Sequence, residues 1–176
     1  MRFTPGILSF LLLIALPLGA VPASTGECRS LLRPLLLAAD PAPEALERAR
    51  SVCTSEADAG DAEATYQLSF FSLGLGGTWK PQQAIPLIRS AADRGVTEAQ
   101  YWLAWQSEAG PELPHDTAVA LGWYQKAAAG RHRLALQRLA DAWERGELGL
   151  PVDARKSLEF RAQIRRCEEE NTRASN

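Results

Sequence analysis

The stretch Thr97–Gly130, TEAQYWLAWQSEAGPELPHDTAVALGWYQKAAAG, decides the fold, because variants of it stand on either side. Its first block, TEAQYWLAWQ, has counterparts in AEATYQLSFF from Ala62 and RLALQRLADAW from Arg133. Ala64, Ala99 and Ala135 correspond, as do Leu68, Leu103 and Leu139, and Ser69, Ala104 and Ala140. Its second block, AVALGWYQKAAAG, has counterparts in QAIPLIRSAADRG and ARKSLEFRAQIRR, in which Ala84, Ala120 and Ser157 correspond, and Leu87, Trp123 and Phe160. The period is 35 to 37 residues with two helical blocks per unit. That is the signature of stacked helix pairs, each burying the flank of the next, rather than of a closed globule around an active site. Stacks of this kind bind along a surface.

Working outward, start and stop signals frame eight helices in four antiparallel pairs. The first pair runs from about Glu27 to Ala39 and from about Pro43 to Cys53, with Asp40-Pro41-Ala42-Pro43 as the turn between them. Pro34 makes the first helix start late or kink, and the pair as a whole reads as an end cap for the stack. Asp61, Asp116 and Asp153 are N-cap candidates, Thr97 with Gln100 forms a T-x-x-Q capping box, and Pro81 suits a first turn. Gly95 and Gly130 suit left-handed C-caps, and Pro86 predicts a bend in its helix. The last helix is expected from Asp153 to about Glu170, with Asn171–Asn176 fraying. Small Ala64, Ala99, Ala104, Ala135 and Ala140 allow close helix approach, at the short end of about 8–10 Å. Leu68, Leu87, Leu103, Leu121, Trp123, Leu139, Trp143 and Phe160 are the expected large fillers of the core.

Upstream of the repeats, residues 1–23 read as a secretory signal. Arg2 supplies the positive end, Ile7–Leu16 an apolar run, and Val21-Pro22-Ala23 a cleavage site before Ser24. Ten apolar residues rise only about 15 Å as a helix against a bilayer core of about 30 Å, which favours a signal over an uncleaved anchor. Glu27 stands where a lipoprotein site at Cys28 would want a small residue. The organisation is therefore a signal over 1–23, a capping pair over 24–60, repeats at about 62–96, 97–132 and 133–167 within 61–170, and a tail over 171–176. Export favours oxidised cysteines. An antiparallel first hairpin brings Cys28 and Cys53 together as a disulfide and leaves Cys167 free at the far end.

Composition narrows the function. With 19 basic and 21 acidic residues, nothing attracts nucleic acid, and the basic run Gly130–Arg138 reads as a solvated helix start. The only histidines, His115 and His132, lie in different units without a ligand partner, and no two cysteines have zinc spacing, so neither a metal nor another cofactor is expected. No G-x-S-x-G or S-x-x-K occurs, and Gly74–Gly77 follows a helix without the Lys-Ser/Thr of a phosphate loop. No catalytic constellation is visible. The surplus lies in aromatics. Ala99 and Leu103 already supply an inward stripe, so Tyr101, Trp102 and Trp105 make that helix apolar nearly all round. Such a helix is either buried on two faces or offers apolar surface to a partner. Trp79, in a loop, is a further candidate anchor.

The pattern resembles the Sel-one-like repeat family, relatives of the tetratricopeptide repeats. That family's unit reads approximately A-x-x-x-L-G-x-x-Y-x-x-G-x-G, then D-x-x-K-A-x-x-W-Y-x-K-A-A-x-x-G. The middle unit matches the back half at Asp116, Ala120, Trp123, Tyr124, Lys126, Ala127, Ala128 and Gly130. The third matches the front half at Ala135, Leu139, Ala140, Trp143 and Gly146. The first is looser, at Ala64, Leu68, Gly74, Gly76, Ala84, Ala91, Ala92 and Gly95, with Leu87 and Ile88 in the Trp-Tyr places. The resemblance implies an all-α, right-handed superhelical solenoid of about four helix pairs that binds protein. Small exported members of this family include immunity proteins against lipase effectors of type VI secretion. The leading expectation is therefore a periplasmic immunity protein that sterically seals a lipid-degrading effector. The alternatives are an envelope assembly scaffold or adaptor and, from another class, a cell-wall hydrolase.

Overall fold

The computed structural model describes residues 26–175, so the expected signal over 1–23 and its cleavage site lie outside the described residues. Among the described residues eight α-helices follow one another: α1 (Glu27–Leu37), α2 (Pro43–Asp58), α3 (Ala62–Leu68), α4 (Pro81–Asp93), α5 (Thr97–Ala109), α6 (Thr117–Ala129), α7 (Arg133–Arg145) and α8 (Ala154–Ala174). A 3-10 turn over Ser69–Ser72 extends α3, and among the described residues the only β pairing is one isolated bridge between Leu73 and Trp79. Every helix packs on its neighbours in the sequence, and α1 also touches α3, which makes the fold an all-α solenoid.

The expected aspartate caps form. Asp61 accepts from the Ala64 N–H at 3.0 Å, Asp116 from Ala118 and Val119 at 2.9 and 3.0 Å, and Asp153 from Lys156 at 3.1 Å. Each satisfies helix-start donors and stabilises by about 1 kcal/mol. The capping box at Thr97 and Gln100 does not form. Val96 is the extended N-cap residue, so Thr97 is already helical and its hydroxyl donates to Glu98 instead. Gln100 turns back and donates to the Ala92 carbonyl at 2.9 Å, tying α5 to the end of α4.

Gly95 takes the left-handed conformation expected of it, at φ 95°, but Gly130 does not, at φ −78°. In that unit the positive φ falls on Arg131, at 66°. Gly130 serves close approach: a Cβ there would stand 2.0 Å from the Thr97 Cγ2, so α6 can end against the start of α5 only without a side chain. α1 begins at Glu27 and runs through Pro34, so it does not start late, and α4 likewise continues through Pro86. α2 runs past Cys53 to Asp58, and the extra turn carries Glu56 to the open N-terminus of α1. There its carboxylate accepts from the N–H groups of Glu27 at 3.1 Å and Cys28 at 3.4 Å. α8 continues past Glu170 to Ala174, held to the start of α7 by Arg131–Glu170 and Arg133–Glu168 ion pairs.

Buried apolar residues form three successive clusters, one per junction of the stack. The first holds Cys28, Leu32, Ala49, Cys53 and Phe71, with the Cys28–Cys53 disulfide at its centre. The second joins α4 to α5 through Ala84, Ile88, Ala91, Ala99 and Leu103, and the third joins α5 through α8 around Tyr124, Leu136 and Leu139. Ala99, Ala104, Ala135 and Ala140 are fully buried, as close approach requires. Of the expected large fillers only Leu103 and Leu139 are buried; Leu68, Leu87, Leu121, Trp123, Trp143 and Phe160 are half-buried. The inward positions on the second helices are Ile88 and Tyr124, one residue (about 100° of helix) further on than Leu87 and Trp123. Trp123 instead packs, half-buried, against both the second and the third cluster.

Candidate binding surface

The repeat register places equivalent side chains of the first helices along one face. Glu63, Tyr66, Gln67 and Phe70 stand where the next unit has Glu98, Tyr101, Trp102 and Trp105, and the third has Leu134, Gln137, Arg138 and Asp141. A groove of about 450 Å³ opens on this face. One wall is α1, with Arg29, Leu32, Arg33 and Leu36; the other is α3 and its 3-10 turn, with Glu63, Tyr66, Gln67 and Phe70, and Glu98 from α5. The Tyr66 and Phe70 rings pack edge to face at 5.0 Å. Burial first, then the charges of Glu98 and Glu63, push the Tyr66 phenol up to about 12. The Glu63 carboxyl is also raised, by burial first and then by Glu98, against the lowering influence of Arg29.

The aromatic candidates divide. Trp105, in the place of groove-lining Phe70, is 42% exposed. Trp79 is 62% exposed and rests against Gly74, whose loop borders a second depression of about 670 Å³ beside the α1–α2 turn. Trp79 therefore stands apart from the groove. Trp102 is half-buried against the α4–α5 cluster. Tyr101 acts as a strut, its ring stacked on His132 at 4.4 Å and tilted against Tyr124 at 5.9 Å. His132 caps α7 by accepting from the Ala135 N–H at 3.3 Å, and burial lowers its pKa. His115 contacts the Gly110 carbonyl at 3.0 Å. Both histidines are thus engaged with backbone.

The residues that lock this face together escaped the sequence reading. Arg138 reaches from α7 to Glu108 on α5, with its Nε donating at 2.9 and 3.1 Å, and to Glu147 at 2.7 Å. Tyr124 of α6 donates to the same Glu108 at 2.7 Å. Burial alone would raise the Glu108 pKa, but the hydrogen bonds and charge of Arg138 and the bond from Tyr124 outweigh it and hold it low. The sequence reading placed Arg138 in the solvated basic run Gly130–Arg138, not in a clamp across three helices. Further along, Lys126 lies over the Trp123 ring and Lys156 over Trp143, each at 3.9 Å. Among the described residues no group of acidic, cysteine or histidine side chains could hold a metal, and no helix is long and apolar enough to cross a membrane.

Comparison with known proteins follows the same architecture. The Sel1 repeat family matches residues 62–96, 97–132 and 133–160. A Sel1 repeat protein from Oxalobacter formigenes, 23% identical, superposes with a TM-score of 0.66 over 80% of this chain and 58% of that one. The protein c5321, a protective antigen of uropathogenic Escherichia coli strains with an SLR fold, is 30% identical, with a TM-score of 0.60 over 66% of this chain. The chain spans 58% of the first relative's length and 25% of the second's.

Proposed function

The chain belongs to the Sel1 repeat family, whose repeats are protein–protein interaction modules and generally not enzymes, and on that premise we propose an exported binding protein that holds its partner along the face of its first helices. The observation that carries this reading is the groove, walled by α1, α3 and α5, with exposed Trp105 continuing its line. Apolar side chains presented beside a rigid groove are the anchors that a protein interface needs. Export is supported by the Arg2, Ile7–Leu16 and Val21-Pro22-Ala23 pattern, and cleavage would leave a chain starting at Ser24.

For the partner we take a lipid-degrading effector of type VI secretion, met in the periplasm and inhibited by steric closure of its substrate entrance. The support is the resemblance to small exported immunity proteins, together with a site that offers contact surface rather than chemistry. The test is direct. The protein beginning at Ser24 should form a stable complex with a lipase encoded beside it, and suppress its activity on phospholipid without altering the lipid. Full lipase activity in the presence of excess protein would refute immunity. Capture of an envelope assembly protein at the same face would then establish the scaffold reading.

A further inference from the structure

Four charged side chains rim the groove, and they are segregated. Arg29 and Arg33 stand on the α1 wall; Glu63 and Glu98 stand on the other. None of the four forms a salt bridge with another described residue. The two carboxylates are repeat-equivalent, 35 residues apart, so the solenoid itself sets them in a row. Thr97 donates to one oxygen of Glu98 at 2.9 Å and leaves the other open. Between the charged walls lie apolar side chains: exposed Leu36 over buried Leu32 on one side, Tyr66 and Phe70 on the other.

We propose that this groove receives a peptide segment of the partner protein that carries an apolar side chain flanked by a basic and an acidic residue. The basic residue, arginine or lysine, sits between Glu63 and Glu98 with its stem along Tyr66. The apolar side chain fills the space between Leu36 and Phe70, and the acidic residue faces Arg29 and Arg33. Opposed walls of opposite sign, with no salt bridge between them, select one orientation of such a segment, because the reversed one sets like charges together at both walls. Burial first, and then the Glu98 charge, raise the Glu63 pKa, so an incoming cation would stabilise that carboxylate. This inference rests on the protein-binding reading and adds the chemistry of the bound segment.

The test is a selection from displayed random dodecapeptides on the protein beginning at Ser24. Three baits are compared: wild type, Glu63→Lys with Glu98→Lys, and Arg29→Glu with Arg33→Glu. Thermal unfolding checks that each bait is folded. The wild-type pool should be enriched in a basic residue next to a large apolar one. A selected synthetic peptide should bind the milder Glu63→Gln/Glu98→Gln variant about tenfold or more weakly. The Lys pair should select acidic residues in place of the basic one. A wild-type pool without basic residues, or one that binds the reversed baits equally well, overturns the proposal. So does wild-type dimerisation in sedimentation that the Lys pair abolishes, since a second copy would then be the occupant. If lipase or scaffold binding survives these groove variants, the segment assignment fails while the binding function stands.

Discussion

Removing the Arg138 guanidinium probes the clamp that holds the binding face rigid. In the folded chain Arg138 bridges Glu108 and Glu147, while Tyr124 donates to Glu108, so α5, α6 and α7 meet at one carboxylate. The side chains of Arg138 and Glu108 are 22% and 19% exposed. Breaking a fully buried pair by removing one partner costs about 3–5 kcal/mol, because the other charge is left desolvated. A fifth of each side chain remains in water, and Tyr124 still donates to Glu108, so Arg138→Ala should cost about 2–3 kcal/mol. For a chain of this size that is a drop of roughly 4–12 °C in Tm. Glu108→Gln should recover part of the loss in the Arg138→Ala background by removing the stranded charge. The pH dependence has a definite sign. The folded Glu108 pKa is lowered, so its contribution is complete above the unfolded value, about 4.3, and fades as pH falls through the folded value. Arg138→Ala removes that contribution, so its deficit relative to wild type should shrink on acidification from pH 7 toward 3. Denaturant unfolding of the two single variants and the double variant at both pH values measures this. A coupling energy below about 0.5 kcal/mol, or a deficit independent of pH, would refute the clamp.

Three further outcomes are expected. Trp105→Ala should leave thermal unfolding within about 0.5 kcal/mol of wild type and weaken partner binding by about 2 kcal/mol, whereas half-buried Trp102→Ala should lower stability by about 2 kcal/mol; unfolding and affinity measured on the same variants separate the two. Gly130→Ala should destabilise by about 1–3 kcal/mol, because the new Cβ meets the Thr97 Cγ2, and Thr97→Ser, which deletes that methyl, should restore most of the loss in calorimetry. Replacing Cys28 and Cys53 together by alanine should cost about 3.5 kcal/mol for a separation of 25 residues in the chain-entropy treatment, while Cys167→Ser should cost under 1 kcal/mol; unreduced peptide maps should show only the Cys28–Cys53 pair.

How much of this was legible in the chain follows from the physics at each position. The helix pairs, the aspartate caps and the buried alanines were readable because each is a local rule: a side chain reaches donors two or three residues on, and a repeated small residue marks a repeated contact. The Cys28–Cys53 pair was readable because an antiparallel hairpin leaves its outer ends adjacent. The capping box at Thr97 failed because a one-residue shift of the helix start turned a cap into a first helical residue. Gly130 misled for the opposite reason: its glycine answers a neighbouring helix, not its own backbone.

By itself, then, the sequence determined the architecture, since periodicity, capping and small-residue spacing all act within one or two turns or repeat along the chain. Only the tertiary structure decided which aromatics are surface. Tyr101, Trp102 and Trp105 lie within five consecutive positions, yet one stacks on the histidine that caps α7, one packs against the α4–α5 cluster and one is exposed. It also decided that Glu56 caps a helix 28 residues away and that Arg138 clamps Glu108 across 30 residues, while Glu63 and Glu98 line a groove without a salt bridge to a described residue. Those outcomes depend on which helices stand side by side and at what distance. Charge and burial act through space, and a residue's neighbours in the chain do not specify its neighbours in the fold.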